Sequence, residues 1–385
     1  MDTEQTVSTE QTVSTEQTVN KIAVSFAAID KDYTDTIVSS EEKEVRGRGF
    51  WTWGEENKYP EYLFSLYNEV TTLRTIINGI ADYVVGEGVE CNSNIFFNVE
   101  DLVKDIAIDY GIYGGFALQI KRNLAGDVVS ASYIDIKKIR SDKKGEYFWY
   151  SEDWNKSYGR VDSVVYRAFK PYEKFYVDEK TGEKKVIGTS ILVFKTSHGT
   201  IYPKPSYAGD GCIAAETERA VNEYHLNSIK NGFSGSYIIN MNNGVPEDKI
   251  KEEVENNFTE KFTGFQNAGR PVLCWNRGKE NETTIQRIET DDFGEKYAAL
   301  AKNCKQELYS AFRSHPVIFG LPTQDTGFND QDFKEAFKLF NKTVVLPIQK
   351  RICNVFDMIS GKPDTLSIKP FAIDWDETET NTEVN

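Results

Sequence analysis

Between Asp291 and Arg313 the chain sets Phe293, Tyr297, Leu300, Cys304, Leu308 and Ala311 at intervals of 4-3-4-4-3. On a 3.6-residue turn this draws one apolar stripe down a helix of about five turns. Glu295, Lys302, Gln306 and Arg313 lie off the stripe. Such a helix must be covered along one side, either by its own chain or by another copy, and periodicity does not separate the two. His315-Pro316 is expected to end it, because proline disfavours helix in the residue before it. A loop with Gly320, Pro322 and Gly327 follows, and then a second long helix, from Asp332 to Met358. This one carries Phe333, Phe337, Phe340, Val344, Ile348, Ile352 and Val355 on one side. Pro347 sits inside it and is expected to kink it.

Upstream the pattern is mixed. Tyr59-Pro60 opens a helical run with Tyr62, Leu63, Leu66 and Tyr67 at helical spacing. Thr71 or Thr72 can cap a second helix bearing Ile76, Ile77, Ile80 and Val84, stopped by Gly86 and Gly88. A third helix is expected over Val99–Tyr110, ending at Gly111. From Gly114 to Thr196 the helical period gives way to short β-rich runs: Phe116–Lys121, Val128–Ile134, Glu146–Tyr150, Ser163–Phe169, Lys174–Asp178 and Ser190–Lys195. An antiparallel sheet beside helices, an α+β domain, is the expected result. A helix over Cys212–Lys230 and a strand over Ser236–Met241 come next. A helix opened by Pro246 and Glu247-Asp248 follows, and then two strands, Pro271–Trp275 and Thr283–Glu289.

The ends differ in kind. Thr3–Ser8, Thr9–Ser14 and Thr15–Asn20 repeat T-E-Q-T-V-[S/N], a polar tract with too little apolar surface to offset its ordering entropy. A short strand, Ile22–Phe26, is expected after it. Asp374–Asn385 holds five acids and no base. The N-terminus lacks the basic and apolar regions of a signal peptide, and no apolar run reaches transmembrane length. The five cysteines (Cys91, Cys212, Cys274, Cys304, Cys353) form no C-x-x-C pair, which argues for reduced thiols in a reducing cytoplasm. A net charge of −15 argues against a broad phosphate-gripping surface, though not against nucleic acid sliding past.

Catalytic signals are absent. There is no G-x-x-x-x-G-K-[ST] phosphate loop. Gly232-Phe-Ser-Gly235 is one residue short of a nucleophile elbow. His198, His225 and His315 stand far apart, as structural histidines do. Asp291/Asp292 reads as helix N-terminal charge and Asp374/Asp376 as a solvated tail, so neither is taken as a Mg²⁺ site. The expectation is a non-enzyme with no cofactor and no metal.

Four stretches together resemble the portal (head-to-tail connector) proteins of tailed bacteriophages. NKYPEYLFSLYNEVTTLRTIINGIADYVVGEGVE (Asn57–Glu90) is similar to the family's N-terminal signature, and YGGFALQIKRNLAGDVVSASYIDIKKIR (Tyr113–Arg140) to its following β-unit. YPKPSYAGDGCIAAE (Tyr202–Glu216) resembles the turn into its first stem helix. The run from SAFRSHPVIFGLP to DFKEAFKLFNKTVVLPIQKRI (Ser310–Ile352) resembles its stem end, tunnel loop and long helix. The resemblance covers Phe50 to Met358, and its strength lies in the order of the segments.

The resemblance implies an α+β, phage portal-like fold with an α/β wing, two-helix stem, α/β clip, tunnel loop and long kinked helix. Residues 1–49 would be a largely disordered tail, 50–208 the wing, 209–232 the first stem helix and 233–290 the clip. Residues 291–314 would be the second stem helix, 315–331 the tunnel loop, 332–373 the long helix with a short crown, and 374–385 an acidic tail. It implies a ring of typically twelve copies at a capsid vertex of the virion, assembled in the host bacterial cytoplasm and passing double-stranded DNA without sequence readout. Terminase large subunit, head-tail adaptor and major capsid or scaffolding protein would be its partners, with no membrane. Phe293, Tyr297, Leu300, Cys304 and Leu308 would pack against neighbouring subunits. Lys302, Gln306 and Arg313 would line the channel, and Gln324, Asp325, Phe328 and Asn329 of the loop would face DNA. The alternatives are a phage or prophage minor capsid or baseplate protein that forms no channel and, more distantly, a metal-dependent nucleic-acid enzyme.

Overall fold

The computed structural model describes residues 38–45, 47–154, 162–178, 180–230, 237–241, 249–250, 271–275, 284–287, 293–321 and 330–371. They fall in two compact units, a larger one drawn from Asp32–Asn222 and Gly294–Asn385 and a smaller one from Glu223–Phe293. The expected strand Ile22–Phe26, most of the helix opened by Pro246, and the acidic tail lie outside the described residues.

In the larger unit, α1 (Tyr59–Glu69), α2 (Thr71–Val85) and α3 (Val99–Tyr113) pack on one another, and α3 lies on the sheet. The sheet has six strands in the order β3 (Val128–Ile134), β2 (Gly115–Arg122), β9 (Thr189–Lys195), β6 (Val164–Ala168), β5 (Tyr147–Tyr150) and β4 (Ile139–Ser141). Its pairs are antiparallel except for β6 and β9, which run parallel through Arg167 and Ala168. Adjacent residues Ala117 and Leu118 of β2 are both fully buried, so the centre of the sheet is covered on both faces. Lys174–Asp178 does not join this sheet. Its β7 (Phe175–Val177) pairs with β8 (Lys184–Val186) in a separate ribbon.

Three local expectations are corrected. The second helix is not capped by threonine: Val70 is its N-cap, without a side-chain bond, and the Thr72 hydroxyl instead donates to Glu218 Oε1 at 2.7 Å. The third helix runs through Gly111 and stops at Gly114, in the left-handed conformation at φ 78°. Gly111 serves close packing, since a Cβ there would stand 2.8 Å from Ile77 Cγ2. The folded part also begins upstream of Phe50. The Glu42 carboxylate accepts from the Ile201 and Tyr202 amides, both at 3.0 Å, and Glu44 bridges to Trp51.

Arg140 on β4 ties this region together. It is 1% exposed, and its guanidinium lies over the rings of Trp154 and Trp53 at 4.8 and 5.7 Å. It donates to Asn57 Oδ1 and to the carbonyls of Asn57, Lys137 and Ile139. It forms no ion pair with a carboxylate among the described residues, and burial brings its pKa down to about 10.

After α5 (Phe293–Ala311), the chain forms a short 3₁₀ turn at Pro316–Phe319 whose N-cap is His315. The imidazole accepts from the Val317 amide at 3.4 Å, a structural role. The long helix is three pieces: α6 (Asp330–Phe340), a π turn over Asn341–Val345, and α7 (Leu346–Ser360). Pro347 lies at the start of α7, so the irregularity expected of it takes the form of a π turn just before it. β13 (Leu366–Lys369) then pairs antiparallel with β1 (Gly88–Cys91), closing the chain back onto α2's end. In the smaller unit, β10 (Tyr237–Met241) is flanked by β11 (Pro271–Trp275), parallel to it, and β12 (Thr284–Arg287), antiparallel.

Candidate functional site

The residues of interest sit on α4 (Asp210–Lys230) and α5. The first three turns of α4 are fixed to the helical layer. Cys212, Ala214, Ala215, Glu218 and Val221 are buried. Glu218 takes the Thr72 hydroxyl through one carboxylate oxygen, and the other is buried without a partner among the described residues. Arg219 forks between Glu69 on α1, at 2.6 Å, and Glu216, at 2.7 Å. Just before the helix, the Tyr207 hydroxyl donates to the Ile112 carbonyl at 2.9 Å.

The C-terminal half of α5 lies along this base. The rings of Phe312 and Tyr207 stack at 5.6 Å, and Ala311 faces Gly211. The Thr217 hydroxyl is beside the Cys304 thiol. Gly211 approaching Ala311 and Thr217 approaching Cys304 make the two helices antiparallel neighbours. Burial pushes the Cys212 thiol up to about 11 and raises Cys304 as well. Both are therefore neutral, and thiolate chemistry is not offered here.

The apolar stripe divides. Cys304 (5% exposed) and Leu308 (0%) are consumed by their own chain, which corrects the expectation that they pack against a neighbouring copy. Leu300 is 40% exposed and Tyr297 half-buried, while the Phe293 side chain lies outside the described residues. Ile213, Tyr224 and Leu226 of α4 are also exposed. Lys302 and Gln306, one turn apart, are both exposed on α5. Arg313 does not continue their row. The helix stops at Ala311, and Arg313 takes the left-handed conformation at φ 52°, so its side chain leaves from a turn rather than from the helix face. Gln324, Asp325, Phe328 and Asn329 lie outside the described residues.

Among the described residues no group of three His, Cys, Asp or Glu is placed to hold a metal ion, and no helix is long and apolar enough to cross a membrane. The most perturbed carboxylate is Asp109 on α3. Burial, and then the nearby Asp135, hold its pKa well above the usual range, while the Tyr133 hydroxyl donates to it at 3.0 Å. It is 5% exposed, between α3 and the sheet.

No protein-family profile matches the chain. An uncharacterized protein of Rickettsia bellii is 29% identical over 127 residues, covering 33% of this chain and 31% of that protein. One of Rickettsia felis is 27% identical over 143 residues, covering 37% and 34%. The chain thus matches about a third of the length of these curated relatives. Among solved structures, the HK97 family phage portal protein from Corynebacterium diphtheriae is similar at a TM-score of 0.50 and 10% identity, over 80% of this chain and 94% of that one. The neck of the native gene transfer agent particle, computed with C12 symmetry, is similar at a TM-score of 0.48 and 18% identity, over 83% and 86%. The fold is that of a phage portal protein.

Proposed function

We propose that this chain is a portal-type structural subunit. Copies of it close into a ring, typically of about twelve, at one capsid vertex, and double-stranded DNA passes through the hole during packaging and ejection. The observation that carries the reading is the portal fold, a likeness that leaves only a small part of the Corynebacterium protein unmatched. In this reading α4 and α5 form the stem, residues 233–290 the clip that meets terminase and head-tail adaptor, and residues 315–331 the tunnel loop.

Two features support it. Leu300, Ile213, Tyr224 and Leu226 are large apolar side chains exposed on the stem helices, the kind of surface that a neighbouring copy covers. The chain is strongly acidic, and the exposed Lys302 and Gln306 on α5 are the residues we assign to the lumen. A sparse ring of such residues meets phosphates without reading bases and holds them weakly, so DNA slides. Gln324, Asp325, Phe328 and Asn329 are assigned to the loop that follows the DNA.

The test is the particle formed by the full chain. Light scattering for mass and negative-stain images for shape should give a closed ring with a central hole. A monomer that persists at high protein concentration refutes the reading, and a compact oligomer without a hole favours a minor structural component instead.

A further inference from the structure

A cleft of about 400 Å³ opens within the larger unit where the turn before α4, the end of α5 and the π turn before α7 meet. Lys204, Arg313 and Arg351 all line it, and no carboxylate does. In a chain with 60 acids to 45 bases this is an unusual grouping. None of the three cations is in an ion pair among the described residues. Arg351 donates to the Tyr110 hydroxyl at 2.5 Å, Lys204 reaches only the Ser40 hydroxyl at 3.3 Å, and Arg313 makes no side-chain bond. Because Tyr110 accepts from Arg351, its own proton is left to point at a ligand. Ser206, also lining the cleft, has a hydroxyl without a partner among the described residues.

The backbone at Arg313 is the second observation. At φ 52° it occupies the left-handed position that ends a helix, where glycine fits without steric cost and other residues are strained. Placing arginine there costs stability and puts an arginine in the lining of the cleft, a pattern typical of functional sites. The π turn that carries the lining residue Thr343 is likewise an irregularity common at such sites.

We propose that this cleft is a binding site for a phosphate-type oxyanion. Two guanidinium forks and an ammonium lining one cleft suit a multiply charged tetrahedral anion better than a single carboxylate. A cleft of about 400 Å³ admits a phosphate together with an attached organic group, and the ligand is either a free phosphate compound or one phosphodiester of nucleic acid. The proposal concerns one copy of the chain and does not depend on ring formation.

The experiment is calorimetric titration of the full chain with inorganic phosphate, against acetate at matched ionic strength. Saturable binding of phosphate and none of acetate is expected. Arg313→Gly relieves the strained backbone and so keeps the fold, checked by circular dichroism, yet should weaken phosphate binding by about tenfold or more. Lys204→Gln, on a different element, should weaken it too. Competition separates the sources: displacement of phosphate by a short DNA duplex assigns the backbone, and failure to displace assigns a free phosphate compound, both consistent with the site. Equal responses to phosphate and acetate, full affinity in Arg313→Gly or in Lys204→Gln, or displacement of phosphate by a polyglutamate peptide as readily as by a phosphate compound would each overturn it.

Discussion

The divided stripe on α5 makes a pair of substitutions with opposite readouts. Leu300 is 40% exposed and Leu308, two turns on, is fully buried in its own chain. Fully burying a leucine is worth about 1.5–3 kcal/mol, so covering the open part of Leu300 is worth roughly 0.6–1.2 kcal/mol for each subunit contact. Leu300→Asp forfeits that and adds a carboxylate whose desolvation costs several kcal/mol more. At about 1.4 kcal/mol per tenfold, each contact weakens by a factor of a hundred or more, and a closed ring loses this at every contact. The isolated subunit is almost indifferent, since an exposed position changes its stability by about 0.5 kcal/mol or less. Leu308→Ala does the reverse. It leaves a cavity in the subunit's own core and costs about 2–5 kcal/mol of folding stability, while the molecules that fold still assemble. Mass photometry reads assembly, and urea unfolding of the dissociated subunit reads stability. If Leu300→Asp assembles like the native chain, α5 is not a subunit contact. If it destabilises the isolated subunit by 2 kcal/mol or more, the side chain packs within its own chain and the division of the stripe is wrong.

Arg140→Met strips hydrogen bonds from the buried carbonyls of Asn57 and Ile139, the part-buried carbonyl of Lys137 and Asn57 Oδ1, and should cost roughly 3–5 kcal/mol. The fluorescence of Trp53 and Trp154 during denaturation reports it, and a loss under 1 kcal/mol would mean that the carbonyls find other donors. Asp109 predicts a pH dependence. Its pKa is raised in the folded state, so its contribution to stability is fully present below the ordinary carboxyl pKa and is lost as pH rises through the folded value. Asp109→Asn should therefore lose less stability than the native protein between about pH 5 and pH 8, and parallel curves for the two would refute the assignment. Deleting Thr323–Asn329 should leave rings intact and impair DNA packaging or retention, and normal packaging by the deletion would refute the assignment of this loop to the DNA.

Much of the secondary structure was legible because one face of each element is apolar and its period is unambiguous. Val128–Ile134 and Pro271–Trp275 begin and end where alternation predicts. What was not legible is set by partners distant in the chain. β1 and β13 are four residues each and exist because Gly88 meets Lys369, and no local pattern marks either. Gly111 and Gly114 are both plausible helix stops. The backbone chooses the second because the Lys204 carbonyl lies 2.0 Å from where a Cβ on Gly114 would stand, while Gly111 is needed against Ile77. The stripe on α5 was visible from its spacing, but spacing cannot say that Tyr207 and Thr217 lie against one half of it while Leu300 is left 40% exposed among the described residues. Arg313 carried no signal, since its place in the cleft follows from the helix stopping at Ala311, two residues earlier, without a glycine to announce it.

The base of α4 shows why polar groups were placed in an otherwise apolar contact. Its apolar part is Cys212, Ala214, Ala215 and Val221, small side chains whose packing is non-directional and would tolerate a slide along α1 and α2. The hydroxyl of Thr72 on Glu218 and the fork of Arg219 on Glu69 tolerate none, because a shift by one turn breaks both and leaves a carboxylate buried without its donor. Glu218 already keeps one oxygen unpaired, a cost of about 1–3 kcal/mol that apolar packing would not incur. Register is what that cost secures. In the proposed ring each subunit's tilt is added to that of its neighbours, and closure depends on the rotation between copies being the right one. A helix fixed at its base by directional bonds, with apolar side chains open along its outer faces, meets that requirement.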